Sequence, residues 1–248
     1  MRELVPPGGV DTQTPWLVFL HDSLGAISAW RDFPDQLAAA VGLPALIYDR
    51  RGYGQSSPFG ATLRTPSYLA HEADALAELL TARGVTQAVL FGHSDGGSIA
   101  LLAAARHPHS VTAAIVEAAH VFVEEITLAG IRDAREQLRS TELRERLQRH
   151  HGPNTDGLTS AWIDTWLSPE FRDWNIESDL AAITCPLLVL QGEHDEYGSP
   201  SQVEAIVRGV RGPVEAHLLP DTMHTPHRSH PSVVIAHVRS FLATHGVC

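Results

Sequence analysis

Apolar positions along the chain gather into short runs of strand length separated by stretches of helical spacing. Residues 16–20, 45–48, 89–91 and 186–191 are nearly continuous apolar runs, and each closes on a cluster of Gly, Asp, Ser or His. Runs that are apolar on both faces suit strands buried between two helical layers. Residues 112–117 and 214–219 are read as two further strands. Between the runs, Trp30, Phe33, Leu37 and Val41 recur at near-helical spacing, with Pro34 set for the first turn of a helix. Thr65-Pro66 predicts a helix to about Arg83, stopped by Gly84. Further helices are predicted over 98–107, about 199–208 and about 232–244. This strand-helix alternation predicts an α/β fold built on a mostly parallel sheet with helices on both faces.

From residue 121 to about 179 the strand rhythm stops. Leu128, Ile131, Leu138, Leu143 and Leu147 follow a helical pattern, and Trp162, Trp166 and Trp174 come after them among loops. The expected organisation is a core of residues 1–120 and 180–248 with a helical lid inserted over 121–179. Six arginines between Arg132 and Arg149 alternate with Asp133, Glu136, Glu142 and Glu145. That pattern predicts a solvated helix face held by i,i+4 pairs rather than an anion-binding patch. His150-His151-Gly152-Pro153 reads as a loop.

Composition narrows the classes. With 248 residues, 44% of them hydrophobic, the chain is long enough for one sizeable core with an inserted subdomain. A formal charge of −11 leaves no basic stripe to neutralise phosphates, so neither nucleic acid nor an anionic membrane is expected as a partner. All 18 basic residues are arginine, which excludes a Walker-A lysine and a Schiff-base lysine together. Cys185 and Cys248 form no disulfide framework, the N-terminal stretch has no apolar signal core, and no run approaches a membrane span, so a cytoplasmic protein is expected. The 15 histidines show no metal-binding helix spacing, and no metal or cofactor is expected.

Chemistry concentrates where the run 89–91 ends in Gly92-His93-Ser94-Asp95-Gly96. A strand that breaks at this pattern into a helix is a nucleophile elbow: the glycines allow strand and helix to approach, and the turn holds the serine hydroxyl clear of the backbone. Two later strand ends supply an acid near 195 and a histidine near 224. In a parallel sheet these ends lie along one edge, bringing together, in the chain order Ser, acid, His, the three groups that an activated serine requires. His120, at the end of 112–117, falls beside the elbow and reads first as a structural histidine, with a substrate contact as the alternative.

Over nearly its whole length the chain resembles the α/β-hydrolase superfamily. The resemblance rests on His21-Asp22-Ser23-Leu24-Gly25, on residues 49–56, on the elbow, on Gly192-Glu193-His194-Asp195 and on residues 224–231 beginning at His224. It implies Ser94 as nucleophile, His224 as base and Asp195 as orienting acid, preferred over Glu193 and Glu196. The backbone N–H groups of Ser23 and Asp95 would form the oxyanion hole, and His227 would be a second, non-catalytic histidine. Among family members the chain is similar to small lidded hydrolases such as enol-lactone hydrolases and the C–C hydrolases of aromatic breakdown. The implied activity is cofactor-independent cleavage of a small carboxylic ester, lactone or thioester through an acyl-enzyme. C–C cleavage of a vinylogous diketone is the alternative, and a small-molecule receptor on the same scaffold is the alternative of another class.

Two departures from the family pattern carry expectations. The short N-terminal stretch allows one strand or none of the usual antiparallel start. Asp22 stands where the family has glycine, one residue before an oxyanion donor. A free carboxylate about 5 Å from a developing oxyanion would cost roughly 3 kcal/mol at an effective dielectric near 20. A neutralising hydrogen bond from Arg50, Arg51, a loop amide or His120 is therefore expected, with substrate contact as the rival. Trp162 and Trp166 are expected to line an apolar pocket over Ser94, so the partner is a small, partly apolar or aromatic molecule, bound by a monomer or homodimer.

Overall fold

The computed structural model describes residues 1–6, 9, 11, 13–59 and 64–248. Its strands are β1 (Arg2–Leu4), β2 (Trp16–Leu20), β3 (Ala45–Ile47), β4 (Ala88–His93), β5 (Val111–Glu117), β6 (Leu187–Gly192) and β7 (Val214–Leu219). They form one sheet in the order β1-β3-β2-β4-β5-β6-β7. The pairs from β3 through β7 are parallel, whereas β1 runs antiparallel to β3 with Arg2 opposite Ile47. Among the described residues the antiparallel start is thus a single three-residue strand, within the expected limit. The helices are α1 (Phe33–Val41), α2 (Tyr68–Ala82), α3 (Asp95–Arg106), α4 (Glu125–Leu138), α5 (Thr141–His151), α6 (Thr155–Trp166), α7 (Glu177–Leu180), α8 (Pro200–Gly209), α9 (Pro226–Ser229) and α10 (Pro231–Thr244).

Alternation along each central strand feeds two cores. Val18, Leu90, Ala114 and Val189 pack with Leu76 of α2 and Ile99 of α3 on one face. Phe19, Phe91, Ile115 and Leu190 pack with Leu37 of α1 and Phe241 of α10 on the other. Each such side chain gains about 1.5–3 kcal/mol on burial, so a strand apolar on both faces is held twice. The consequence for function is alignment: the ends of β2, β3, β4, β5, β6 and β7 are fixed along one edge.

Residues 121–186 leave the sheet after β5 and return at β6, carrying α4 to α7 and no sheet strand. An isolated antiparallel bridge between Phe122 and Asn175, with the Ile176 N–H donating to Val121 O at 2.8 Å, closes the neck of this excursion.

Local readings differ from the structure in a few places. Helix α3 begins at Asp95 rather than 98, because packing against the sheet overrides the weak helix propensity of Gly96 and Gly97. His150 and His151 lie in the last turn of α5, and Gly152 ends it with φ 52°. The short helices α7 and α9 lack enough periodicity to be read from sequence.

Candidate active site

Ser94 stands between β4 and α3 with φ 54° and ψ −118°. That strained backbone depends on its flanking glycines: a Cβ on Gly92 would lie 2.2 Å from Gly96 O, and one on Gly96 would lie 2.0 Å from Leu20 O. The elbow is locked by the Ser94 N–H donating to Glu117 O at 2.9 Å and by Ser94 O accepting from the N–H groups of Gly97 and Ser98. The hydroxyl is thereby presented at the N-terminus of α3, where unpaired N–H groups favour negative charge.

Three loops bring three side chains into line. Ser94 Oγ is 3.0 Å from His224 Nε2, and His224 Nδ1 is 2.7 Å from Asp195 Oδ1. Asp195 Oδ1 also accepts from the N–H of Tyr197 at 2.9 Å and of Gly198 at 3.3 Å, which fixes the carboxylate in its turn. Burial works to raise the Asp195 pKa, but the charge and hydrogen bond of His224 outweigh it and the net direction is down. For His224, burial works to lower the pKa. The charge and hydrogen bond of Asp195, followed by the charges of Glu196 and Asp22, carry it above 6.5. The rival acids sit differently: Glu196 accepts from the His224 backbone N–H, at 3.1 Å, and Glu193 is exposed.

The loop after β2 is shaped by a buried arginine. Arg50 Nη2 donates to His21 O at 3.1 Å and Asp22 O at 2.8 Å, while the Arg50 N–H donates to His21 Nε2 at 3.1 Å. A trans peptide points its C=O and N–H in opposite directions, so holding Asp22 O on one side turns the Ser23 N–H to the other. Among the described residues neither the Ser23 nor the Asp95 N–H has an acceptor. The expected neutralising contact is corrected here: Arg50 binds backbone carbonyls, and the Asp22 carboxylate has no hydrogen-bond donor among the described residues. Asp22 lines the cavity, with its Oδ1 packed over Gly25, where an added Cβ would lie 2.0 Å away.

That cavity measures about 510 Å³ and is bounded by Asp22, Ser23, Ser94, Asp95 and His224 at one end. His120, Trp162 and Trp166 also line it, as do Ile131, Leu143 and Leu147. Trp174 instead stacks on Phe171, with ring centroids 5.2 Å apart. His120 fits both of its readings: it lines the cavity, and Nε2 donates to Tyr197 O at 3.0 Å. Burial first, then the charge of His224, lowers its pKa, so the ring is neutral at pH 7.

The family of the alpha/beta hydrolase fold matches residues 15–179. The chain belongs to the α/β-hydrolase fold family. Similar curated proteins include human serine hydrolase BPHL, 29% identical over 188 residues, a match covering 73% of this chain and 63% of the human protein. The chain therefore spans less than two thirds of that relative. The 2-succinyl-6-hydroxy-2,4-cyclohexadiene-1-carboxylate synthase of Enterobacter sp. (strain 638) is 25% identical over 247 residues, covering 90% of this chain and 89% of its own. Among solved structures, the enol-lactonase of Burkholderia xenovorans LB400 superposes with a TM-score of 0.75 at 18% identity, covering 98% and 95% of the two chains.

Beyond the expected residues, this α/β-hydrolase brings in several that sequence reading missed. Tyr68 of α2 donates to Asp95 Oδ2 at 2.8 Å and accepts from Trp166 Nε1 at 2.9 Å, tying the residue after Ser94 to α6. His93 Nε2 donates to His224 O at 2.8 Å. Glu117 pairs with His227, and with His93 these two bring potential ligand atoms within 4.8 Å of one another. Those atoms are largely occupied by one another or by His224 O. Glu215, His217 and His237 form a second such group on β7 and α10. No short-range signal marks Tyr68 or Glu117, because each meets its partners through the sheet edge rather than through the chain.

Proposed function

We propose that the protein is a cofactor-independent serine hydrolase that cleaves a small carboxylic ester, lactone or thioester through an acyl-enzyme on Ser94. The observation that carries this reading is the hydrogen-bonded line from Ser94 Oγ through His224 to Asp195, set at an elbow with unengaged N–H groups beside it. His224 Nε2 takes the hydroxyl proton as Oγ attacks the acyl carbon, and Asp195 stabilises the resulting imidazolium without itself being protonated. The N–H groups of Ser23 and Asp95 hold the oxyanion. Collapse of the intermediate expels the alcohol or thiol, which receives its proton from His224. Water then repeats the sequence on the acyl-enzyme and restores Ser94. Nucleophile, base, acid and oxyanion donors all come from the chain.

Residues 121–179 act as the lid in this reading, with Trp162 and Trp166 giving the acyl or leaving group an apolar wall. A reducing, cytoplasmic setting agrees with two free cysteines. Among the described residues no helix is long and apolar enough to cross a membrane.

The test is a panel of esters, lactones, acyl-thioesters and vinylogous diketones, with Ser94→Ala as control. Turnover of one or more of the first three classes, lost in Ser94→Ala, is expected. Turnover of the diketones alone would move the reading to C–C hydrolysis, and no turnover with no fluorophosphonate labelling would favour a receptor.

A further inference from the structure

Resting on this reading, the cavity walls say something about the substrate. Helix α5 turns one face to the cavity, with Leu143, Arg146, Leu147 and His150 at i, i+3, i+4 and i+7 and Arg149 beside them. The other lid arginines are engaged: Arg132 with Glu125, Arg135 and Arg139 with Glu136, and Arg144 with Asp156. None of these is an i,i+4 pair: the arginines are exposed or half-exposed as expected, but ion pairs of other spacing hold only four of the six. Among the described residues Arg146 and Arg149 have no ion pair and no side-chain hydrogen bond. Two more arginines without such partners, Arg31 and Arg228, also line the cavity. In a chain of net charge −11, four exposed arginines from three separate segments line one cavity without an ion pair among the described residues.

Two imidazoles register how charge is arranged in that cavity. His150, hydrogen-bonded through Nδ1 to Ser28 Oγ at 2.8 Å, has its pKa lowered by burial first, then by His151, Arg149, Arg228 and Arg146. The charges that principally act on His224 are the carboxylates of Asp195, Glu196 and Asp22, which raise it. Carboxylate charge therefore acts on His224, and the charges of Arg149, Arg228 and Arg146 act on His150. The backbone of Arg31 is itself strained, with φ 56°, a conformation a non-glycine residue keeps where its position is otherwise determined.

We propose that the substrate carries an anionic oxygen group away from the scissile acyl bond, and that Arg146 and Arg149, assisted by Arg228 and Arg31, receive it. Guanidinium donors match the paired oxygens of a carboxylate or phosphate. The apolar side chains between the two ends would hold the connecting segment. A carboxylate on the acyl portion and a phosphate on the leaving portion share this chemistry.

The experiment compares kcat/KM for mono-4-nitrophenyl adipate with that for its ω-methyl ester. A second arm compares acetyl-coenzyme A with S-acetyl-N-acetylcysteamine. Wild-type protein should prefer the anionic member of one arm by about tenfold or more, as expected for a charge-assisted contact. The preference should shrink with added salt and approach one in the Arg146→Gln/Arg149→Gln double variant. The arm that responds tells which side of the scissile bond bears the anion. Ratios near one in both arms, or a preference unchanged in the double variant, overturn the proposal. A binding measurement separates this from failure of the hydrolase reading: Ser94→Ala protein is titrated calorimetrically with monomethyl adipate, dimethyl adipate and coenzyme A. Tighter binding of an anionic probe, lost with both arginines, supports the proposal even if no ester turns over. Equal or absent binding of the anionic probes overturns it even if neutral esters are hydrolysed.

Discussion

Glu117 grips His227 twice. Its Oε1 accepts the His227 backbone N–H at 2.7 Å and its Oε2 accepts the ring Nδ1–H, and both side chains are buried. The pair ties the end of β5 to the segment that follows His224. Burial works to raise the Glu117 pKa, but the charge and hydrogen bonds of His227 carry it below 4.5.

Breaking a buried pair from one side leaves an uncompensated group, at a cost of about 3–5 kcal/mol. His227→Ala is therefore expected to lower the denaturant midpoint markedly. Reading His227 from sequence as merely non-catalytic predicts a mild substitution, and the Glu117 contact corrects that for stability. A His227→Ala protein as stable as wild type would remove the pair from the explanation.

The same pair sets a pH signature. The native Glu117 carboxyl binds its proton less readily than the unfolded one, so stability is gained as pH rises and is fully present above the unfolded value near 4.5. It is lost as pH falls through the lowered native value. Unfolding midpoints measured across the acid range should decline less steeply for Glu117→Gln than for wild type.

For the chemistry, His224→Ala should reduce kcat on the order of a thousandfold or more, while folded His227→Ala keeps most of its rate per molecule. Steady-state rates on active, folded protein decide between them. The reverse ranking would mean that His227 is the base.

Rate should fall as pH drops through the His224 pKa, because only the neutral ring can take the serine proton. With that pKa raised, the acid limb lies above 6.5. Asp22→Asn removes one of the charges that raises it and should move the limb to lower pH. A limb that stays in place would show that Asp22 does not act on His224.

How much of this was readable beforehand depends on the range of each signal. Ser94 and Asp195 stand just past apolar runs and His224 five residues past the strand 214–219, so strand ends pointed to all three, with Glu193, Glu196 and His227 as near neighbours. The parallel sheet followed from the same runs, whereas the strand order β1-β3-β2-β4-β5-β6-β7 is visible only in the structure. The contact expected for the Asp22 carboxylate was misjudged, because nothing in the chain says whether Arg50 meets a side chain or two backbone carbonyls. Glu117 looked like the polar end of a strand, and its partner lies 110 residues away. Arginines alternate with acids along α5, and only the helix's orientation separates Arg144, paired with Asp156, from Arg146 and Arg149, which line the cavity.

Arg50 offers a test of the oxyanion loop. Freed of its two carbonyl contacts, the Asp22–Ser23 peptide can rotate, so Arg50→Met should lower kcat by about a hundredfold or more with a smaller change in KM. Arg50→Lys, which keeps a donor, should recover part of the loss. A fall confined to KM would assign Arg50 to substrate binding instead.

The central claim is that Ser94 forms the bond to the acyl group. Mass spectrometry of the protein after reaction with a fluorophosphonate, followed by peptide mapping, tests it most directly. One adduct per chain is expected, on the peptide containing Ser94, with none in Ser94→Ala. An adduct on another residue, or equal labelling of Ser94→Ala, would contradict the claim.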